Sequence, residues 1–328
     1  MARFYPPGRN RLQMTKKQPL KIPSRLGAYL FMIVNTITWG AALIIVKPGL
    51  DVTTPYRFLL YRYVLAAAIG LPILLYFWHR AKPSIKNIIH ITLIELLGTT
   101  FTLWLLYTGL QRTSGIEASL LGTTQPLFIT LVGVLLFKER LEKNESMGLT
   151  IAFLGTLVLS LVPLFTENEA LGEIALLGNF LVIFSLILNG FYYPLTKKYY
   201  RQIPKLLASS LSFYVGLVSF AILSWVEAGF SFPALTAAIQ TDLAAPSVVT
   251  AAIYMATFGS IIGYTALIKA MEVLEASEAS LFNYLQPLIY LPLGMLMLNE
   301  GIHPVQIVAL LVVFLGVLVA ERKNYLRS

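Results

Sequence analysis

The sequence predicts an all-α membrane protein, with ten transmembrane helices in two inverted five-helix repeats. Three observations predict it. The composition is too apolar for a soluble domain, the basic residues fall on one side of ten apolar runs, and a 23-residue segment occurs twice.

Composition comes first. The 328 residues are 57% hydrophobic and 12% charged, with a mean hydropathy of +0.72. A soluble domain of this size carries about 25% charged residues. Cysteine is absent, which excludes disulfides, thiolate zinc sites and a cysteine nucleophile. His79, His90 and His303 are scattered without metal-ligand spacing. No metal and no cofactor are expected.

The apolar runs are 26–46, 56–78, 88–110, 116–137, 146–165, 172–194, 205–227, 248–271, 277–298 and 303–320. Each approaches or exceeds the ~18–20 residues that cross a bilayer. The connecting loops are short; the longest, at 228–247, contains Pro and Ala and is expected to be partly helical. The first run is long and lacks a small-residue cleavage site, so it is expected to stay as a span. Residues 1–25 form a basic tail and 321–328 a short C-terminal one.

Basic residues set the orientation. With the N-terminus inside, the inner segments hold 21 of the 25 Lys and Arg. The outer loops hold three (Lys47, Arg57 and Arg112), and Arg62 lies within a helix. The net charge of +9 is therefore a topology signal rather than a nucleic-acid footprint. Both termini are expected in the cytoplasm of a plasma membrane, or of the inner membrane if the host is bacterial. The expected partners are the lipid bilayer and a small-molecule substrate, with monomer and homodimer both open.

The repeat is explicit. "EASLLGTTQPLFITLVGVLLFKE" (117–139) aligns without gaps to "EASLFNYLQPLIYLPLGMLMLNE" (278–300), and ten of 23 positions are identical. The same offset of 161 carries Gly98 onto Gly259 and Gly155 onto Gly316. At an offset of 150, Asn35 and Trp39-Gly40 meet Ser185 and Asn189-Gly190. The repeats are 26–165 and 172–320. Five is odd, so the second copy enters the membrane from the opposite side. Inverted repeats are the architecture of alternating-access carriers.

"TWGAALIIVKPGL" in helix 1, "RYVLAAAIGLPILL" in helix 2 and "QPLFITLVGVLLFKERL" at helix 4 resemble the drug/metabolite transporter superfamily, EamA-like branch. The repeated Pro, followed by Glu at the end of the next helical run, is similar to that family's pattern. The resemblance covers nearly the whole chain. It implies transport of small organic metabolites, with export of amino acids or related compounds as the leading expectation. A lipid or lipid-linked sugar translocator is the alternative. An intramembrane enzyme is a distant one, because no H-E-x-x-H or G-x-S-x-G motif is present.

The site candidates follow from polar and aromatic residues inside apolar runs. Pro126 and Pro287 lack an N–H and are read as hinges, freeing the carbonyls of Gly122 and Asn283. Beside them stand Thr124, Gln125, Asn283, Tyr284 and Gln286. Asn35 and Trp39 share one face of helix 1; Asn189 and Tyr193 share one of helix 6. Trp104 and Tyr107 lie on helix 3 and Tyr264 on helix 8. Amides and rings suit a neutral or zwitterionic solute. Each is equally readable as interhelical glue.

Two ionisable groups lie within spans. Arg62 matches a helix 2 Arg common in the resembling family, which implies a structural or gating role. Glu95 departs from the family's usual apolar residue. It is read as a proton carrier, a counter-charge for an amine, or an interfacial carboxylate reached by water. Their depths differ by roughly 10 Å, so they are not expected to pair. Glu139 and Glu300, at helix ends, are read as interface anchors or gate contacts. Gly259 and Gly263 form a G-x-x-x-G spacing suited to close helix packing.

Overall fold

The structure is a computed structural model, and it describes residues 24–137, 143–165, 169–200, 203–270, 273–274, 279 and 281–321. Among the described residues, all regular structure is helical.

α1 (Arg25–Gly40) and α2 (Ala42–Leu50) follow one another almost without interruption, and α3 (Pro55–Ala81) returns. The next rod joins α4 (Ile85–Glu95), a π-helical stretch (Leu96–Phe101) and α5 (Thr102–Arg112). Then come α6 (Gly115–Gly122), α7 (Gln125–Phe137), α8 (Lys143–Ser160) and a 3-10 turn (Val162–Phe165). α9 (Glu169–Tyr199), α10 (Lys205–Glu227) and α11 (Phe232–Leu243) continue the chain. α12 (Pro246–Tyr254), a second π-helical stretch (Met255–Gly263) and α13 (Tyr264–Ala270) form another continuous rod. A 3-10 turn (Leu281–Leu285), α14 (Pro287–Met297) and α15 (Pro304–Glu321) complete it.

Helix starts follow from hydroxyl caps. Ser24, Thr54, Ser84, Ser114 and Ser231 each accept from the backbone N–H three residues on, at 3.0–3.4 Å. Pro55, Pro233 and Pro246 stand in the first turn of their helices, where the missing N–H costs nothing.

Among the described residues, six rods are long and apolar enough to cross a membrane: Arg25–Leu50, Pro55–Ala81, Ile85–Arg112, Gly172–Tyr192, Leu206–Glu227 and Pro246–Leu267. Leu30, Leu75, Leu288, Leu296, Leu311 and Leu318 are exposed, each more than half accessible. Apolar surface of that extent needs a lipid solvent. The chain is an all-α, multi-pass membrane protein.

Packing pairs the rods across the chain: α3 with α10, α5 with α9, α8 with α15, and α1 with α13 and the second π-helical stretch. Tyr63 on α3 stacks on Phe220 of α10, with centroids 5.8 Å apart and planes 7° from parallel. Small residues allow the closest crossings. A Cβ on Gly109 would stand 2.6 Å from the Gly178 carbonyl, and one on Gly148 would stand 2.4 Å from the Gly316 carbonyl. Backbone meets backbone there, as apolar rods in lipid require.

The structure departs from the expected spans in two places. The run at 116–137 is two helices broken at Thr123–Thr124, because Thr123 and Thr124 turn their hydroxyls onto the carbonyls of Leu120 and Leu121 at 2.6 Å. Pro126 therefore falls in the opening turn of α7, and Pro287 is the first residue of α14. Neither interrupts a helix, and the Asn283 carbonyl accepts from Gln286 N–H at 3.1 Å. Second, the third and eighth runs each contain a π-helical stretch rather than uninterrupted α-helix. The 228–247 loop is partly helical, as expected: it contains α11, entered through Gly229 and Phe230 at φ 64° and 59°.

Candidate functional site

The two π-helical stretches occupy equivalent places: adding the repeat offset of 161 to residues 96–101 gives 257–262, inside the second stretch. A π turn is wider than an α turn and misaligns carbonyls, and such turns are frequent at functional sites. Local hydroxyls fill part of the gap. Thr102 Oγ1 donates to Leu97 O at 2.8 Å and Ser260 Oγ to Met255 O at 3.0 Å, both five residues back. Thr99 Oγ1 donates to Glu95 O at 2.6 Å.

α1 satisfies carbonyls of the second stretch. Asn35 Nδ2 donates to Gly263 O at 3.0 Å, and Trp39 Nε1 donates to Gly259 O at 3.1 Å. Tyr254 Oη completes the tie by donating to Thr38 O at 2.8 Å. Gly263 is needed for this approach, since a Cβ there would lie 2.7 Å from both Thr38 Oγ1 and Trp39 Nε1. Asn35 and Trp39 thus act as interhelical ties; Asn35 is buried, whereas Trp39 keeps some accessible surface. The first stretch is met differently. Tyr192 of α9 lays its ring against Gly98, where a Cβ would fall 2.1 Å from the ring.

Glu95 ends α4 just before the first stretch and is fully buried. Its carboxylate accepts from Tyr192 Oη at 3.0 Å and Ser212 Oγ at 2.7 Å. The reading of a water-reached interfacial carboxylate does not fit this burial. Arg62 donates through Nε and Nη2 to Ser260 Oγ at 3.3 and 3.2 Å, and through Nη1 to Tyr107 Oη at 3.3 Å. Arg62 and Glu95 do not pair.

The remaining sequence candidates divide. Trp104 stacks on Tyr56, centroids 6.1 Å apart, and Tyr107 is buried against Phe58 at 5.4 Å. Gln286 Nε2 donates to Asn283 Oδ1 at 3.3 Å, and Tyr284 meets Phe314 edge-on at 5.6 Å. Thr124 is buried; Gln125, Asn189 and Tyr264 are half-buried. The Tyr193 side chain and Glu139 lie outside the described residues.

Sequence reasoning missed a polar network at the end of the bundle that carries Lys47. Lys47 Nζ donates to the carbonyls of Leu110 and Gln111 at 3.0 and 3.1 Å, closing the C-terminus of α5. Gln111 Nε2 answers to Leu50 O at 3.0 Å. Glu300 accepts from the N–H groups of Gly115 and Ile116 at 2.8 and 2.7 Å, capping α6 from across the chain. Gln306 donates to Glu117 at 3.1 Å. Buried Asp242 of α11 accepts from Thr53 Oγ1, from Tyr61 Oη at 2.7 Å and from Arg57 Nε at 2.6 Å. The available signal for Asp242 was a single acid on a short apolar stretch between two spans.

Comparison with known proteins agrees with this architecture. The chain is 25% identical over 279 residues to an uncharacterized transporter of Archaeoglobus fulgidus, covering 83% of this chain and 89% of that protein. It is 26% identical over 299 residues to the uncharacterized transporter YyaM of Bacillus subtilis, covering 90% and 94%. A solved crystal structure superposes with a TM-score of 0.62 at 16% identity over 93% of this chain and 99% of that one, which shows a shared fold. These names are of transporters, not enzymes. The model of the EamA-like transporter family matches residues 26–161 and again 176–321, and the chain therefore belongs to the EamA-like transporter family.

Proposed function

We propose that this transporter moves small organic metabolites by alternating access. In this reading it has ten spans in two inverted five-helix repeats, and its leading role is export of amino acids or related compounds. The observation that carries the reading is the doubling of irregular backbone inside the membrane. Each half has a π-helical stretch at an equivalent position, and each opens a helix at Gln-Pro after a turn. Discontinuous helices at matching places in two halves are what a midplane site between inverted repeats needs.

The pairing of rods supports the same reading. α5 packs on α9 as α1 packs on α13, the exchange that a two-fold axis in the membrane plane would produce. On the proposed orientation, both termini are cytoplasmic in the plasma membrane and the Lys47 network lies on the outer face. Glu95 is proposed as the coupling group and Arg62 as the fixed interior charge. Trp39, Trp104, Gln125, Asn189 and Asn283 are proposed as walls of the path.

The test is transport by the reconstituted chain. Liposomes preloaded with a pool of amino acids should exchange labelled amino acid; movement of sugars or nucleosides alone would move the substrate class, and no movement of any would sink the carrier reading. Topology is checked separately, because the chain has no native cysteine. Val52→Cys should react with an impermeant thiol reagent from outside and Lys82→Cys only from inside. The reverse pattern would invert the orientation.

A further inference from the structure

We infer that Arg62 is the receptor for a carboxylate on the transported solute. The inference rests on the transport reading and adds the charge class of the substrate to it.

Arg62 lies seven residues into α3, about 10 Å from its start along the helix. A guanidinium offers five N–H donors and stays charged. Here three of them reach two neutral hydroxyls, Ser260 Oγ and Tyr107 Oη, at 3.2–3.3 Å. Charge-assisted bonds to a carboxylate run shorter, about 2.7–2.9 Å. Ser260 spends its own proton on the Met255 carbonyl, so it faces Arg62 as an acceptor. The ring of Tyr63 lies 5.3 Å from the guanidinium carbon and adds a weak cation–π contact. Among the described residues, no carboxylate lies within ion-pair distance of Arg62.

The same helix shows the contrast. Arg57 stands five residues earlier and has two carboxylates, Asp242 at 2.6 Å and Glu227 at 3.1 Å. A cation with a purely structural task is neutralised in that way. Arg62, deeper in the bundle, is held by hydroxyls alone. Glu95 does not substitute, since its carboxylate is held by Tyr192 and Ser212.

Arg62 keeps accessible surface while Tyr63, Tyr107 and Ser260 around it are buried. Trp104, one turn from Tyr107, is likewise partly exposed and stacks on Tyr56. An uncompensated cation in a membrane interior is costly, and an anionic ligand removes that cost. One guanidinium among neutral hydroxyls carries a single positive charge, which a carboxylate taken bidentately would balance.

The experiment uses the purified full chain in thermal-shift titrations and in liposome counterflow. The probes are phenylalanine, leucine and glutamate, each beside its methyl ester and its decarboxylated amine. Inorganic phosphate, a sugar and a nucleoside are the controls. At least one acid is expected to stabilise and exchange, with its ester and amine at least tenfold weaker. Arg62→Lys should weaken the acid about tenfold by losing the bidentate geometry. Arg62→Gln should abolish the preference for acid over ester. If Arg62→Gln fails to fold, Tyr107→Phe and Ser260→Ala keep the cation and should change the ratio of acid to ester affinity; an unchanged ratio in both overturns the inference. Equal handling of acid, ester and amine, or retained acid preference in Arg62→Gln, overturns the inference. Exchange of the sugar or nucleoside without any acid leaves the transport reading intact and overturns only the carboxylate. No binding or exchange of any probe removes both.

Discussion

Arg57 at the start of α3 donates to Asp242 at the end of α11 at 2.6 Å, and that buried carboxylate also accepts from Tyr61 and Thr53. The network binds a helix lying between two spans to α3, which packs on α10. Breaking one partner of a buried ion pair that strands the other charge costs about 3–5 kcal/mol; Arg57 keeps Glu227 at 3.1 Å, so the loss here is smaller. Asp242→Ala should therefore lower the detergent melting temperature by several degrees. Asp242→Asn, which keeps part of the hydrogen bonding, should fall between. A melting temperature unchanged in both would mean that α11 is held by apolar contacts alone.

Glu300 concerns movement rather than stability. Its two oxygens take the first two amides of α6, so the end of α14 and the beginning of α6 are latched together. A cap is worth about 0.5–2 kcal/mol, or roughly 2- to 30-fold in an opening equilibrium. With Ser119→Cys as a reporter on buried α6, Glu300→Ala should raise the labelling rate by an impermeant reagent within that range. An unchanged rate would show that this contact does not limit opening at the Lys47 end.

How far these features were legible depends on what kind of signal each residue leaves. Apolar runs, capping hydroxyls and the 161-residue repeat are local patterns, and the rods follow them within a few residues. The Gln-Pro pairs were legible as irregularities, but not as helix starts. Whether Pro bends a helix or opens one depends on the turn before it, and here Thr123 and Thr124 make that turn with their own hydroxyls. The π-helical stretches leave almost no local signal, since one extra residue per turn is stabilised by partners from α1 and α9. Asn35 and Trp39 were identifiable as a polar face, but their acceptors, the Gly263 and Gly259 carbonyls, lie more than two hundred residues away. Ser212 and Ser260, which meet the two interior charges, look like any serine in an apolar run.

Trp39 tests the tie to the second π-helical stretch. Trp39→Phe keeps most of the ring and removes the N–H that serves the Gly259 carbonyl. Leaving a half-buried acceptor unmet costs about 1–3 kcal/mol. The variant should melt a few degrees lower, and amide exchange should quicken across Met255–Gly263 while α8 and α15 stay protected. Uniform exchange over the whole bundle would argue against a local role.

Glu95, Tyr192 and Gly98 form one unit, and the last prediction separates its parts. The Tyr192 ring lies flat on Gly98 and its hydroxyl reaches Glu95 at 3.0 Å. Gly98→Ala would set a Cβ 2.1 Å from that ring, so the ring must move and the bond to Glu95 must break. Overpacking of this kind costs about 1–3 kcal/mol. Tyr192→Phe removes the same bond without the crowding and should destabilise less. If Glu95 carries the coupled proton, Glu95→Gln should lose uptake driven by a pH gradient yet retain exchange at equal pH on both sides, because exchange needs no net proton movement. Gly98→Ala and Tyr192→Phe should keep gradient-driven uptake but shift its pH profile, since both leave the carboxyl in place and alter only its donors. Gradient-driven uptake unchanged in Glu95→Gln would reduce Glu95 to a polar anchor between α4, α9 and α10.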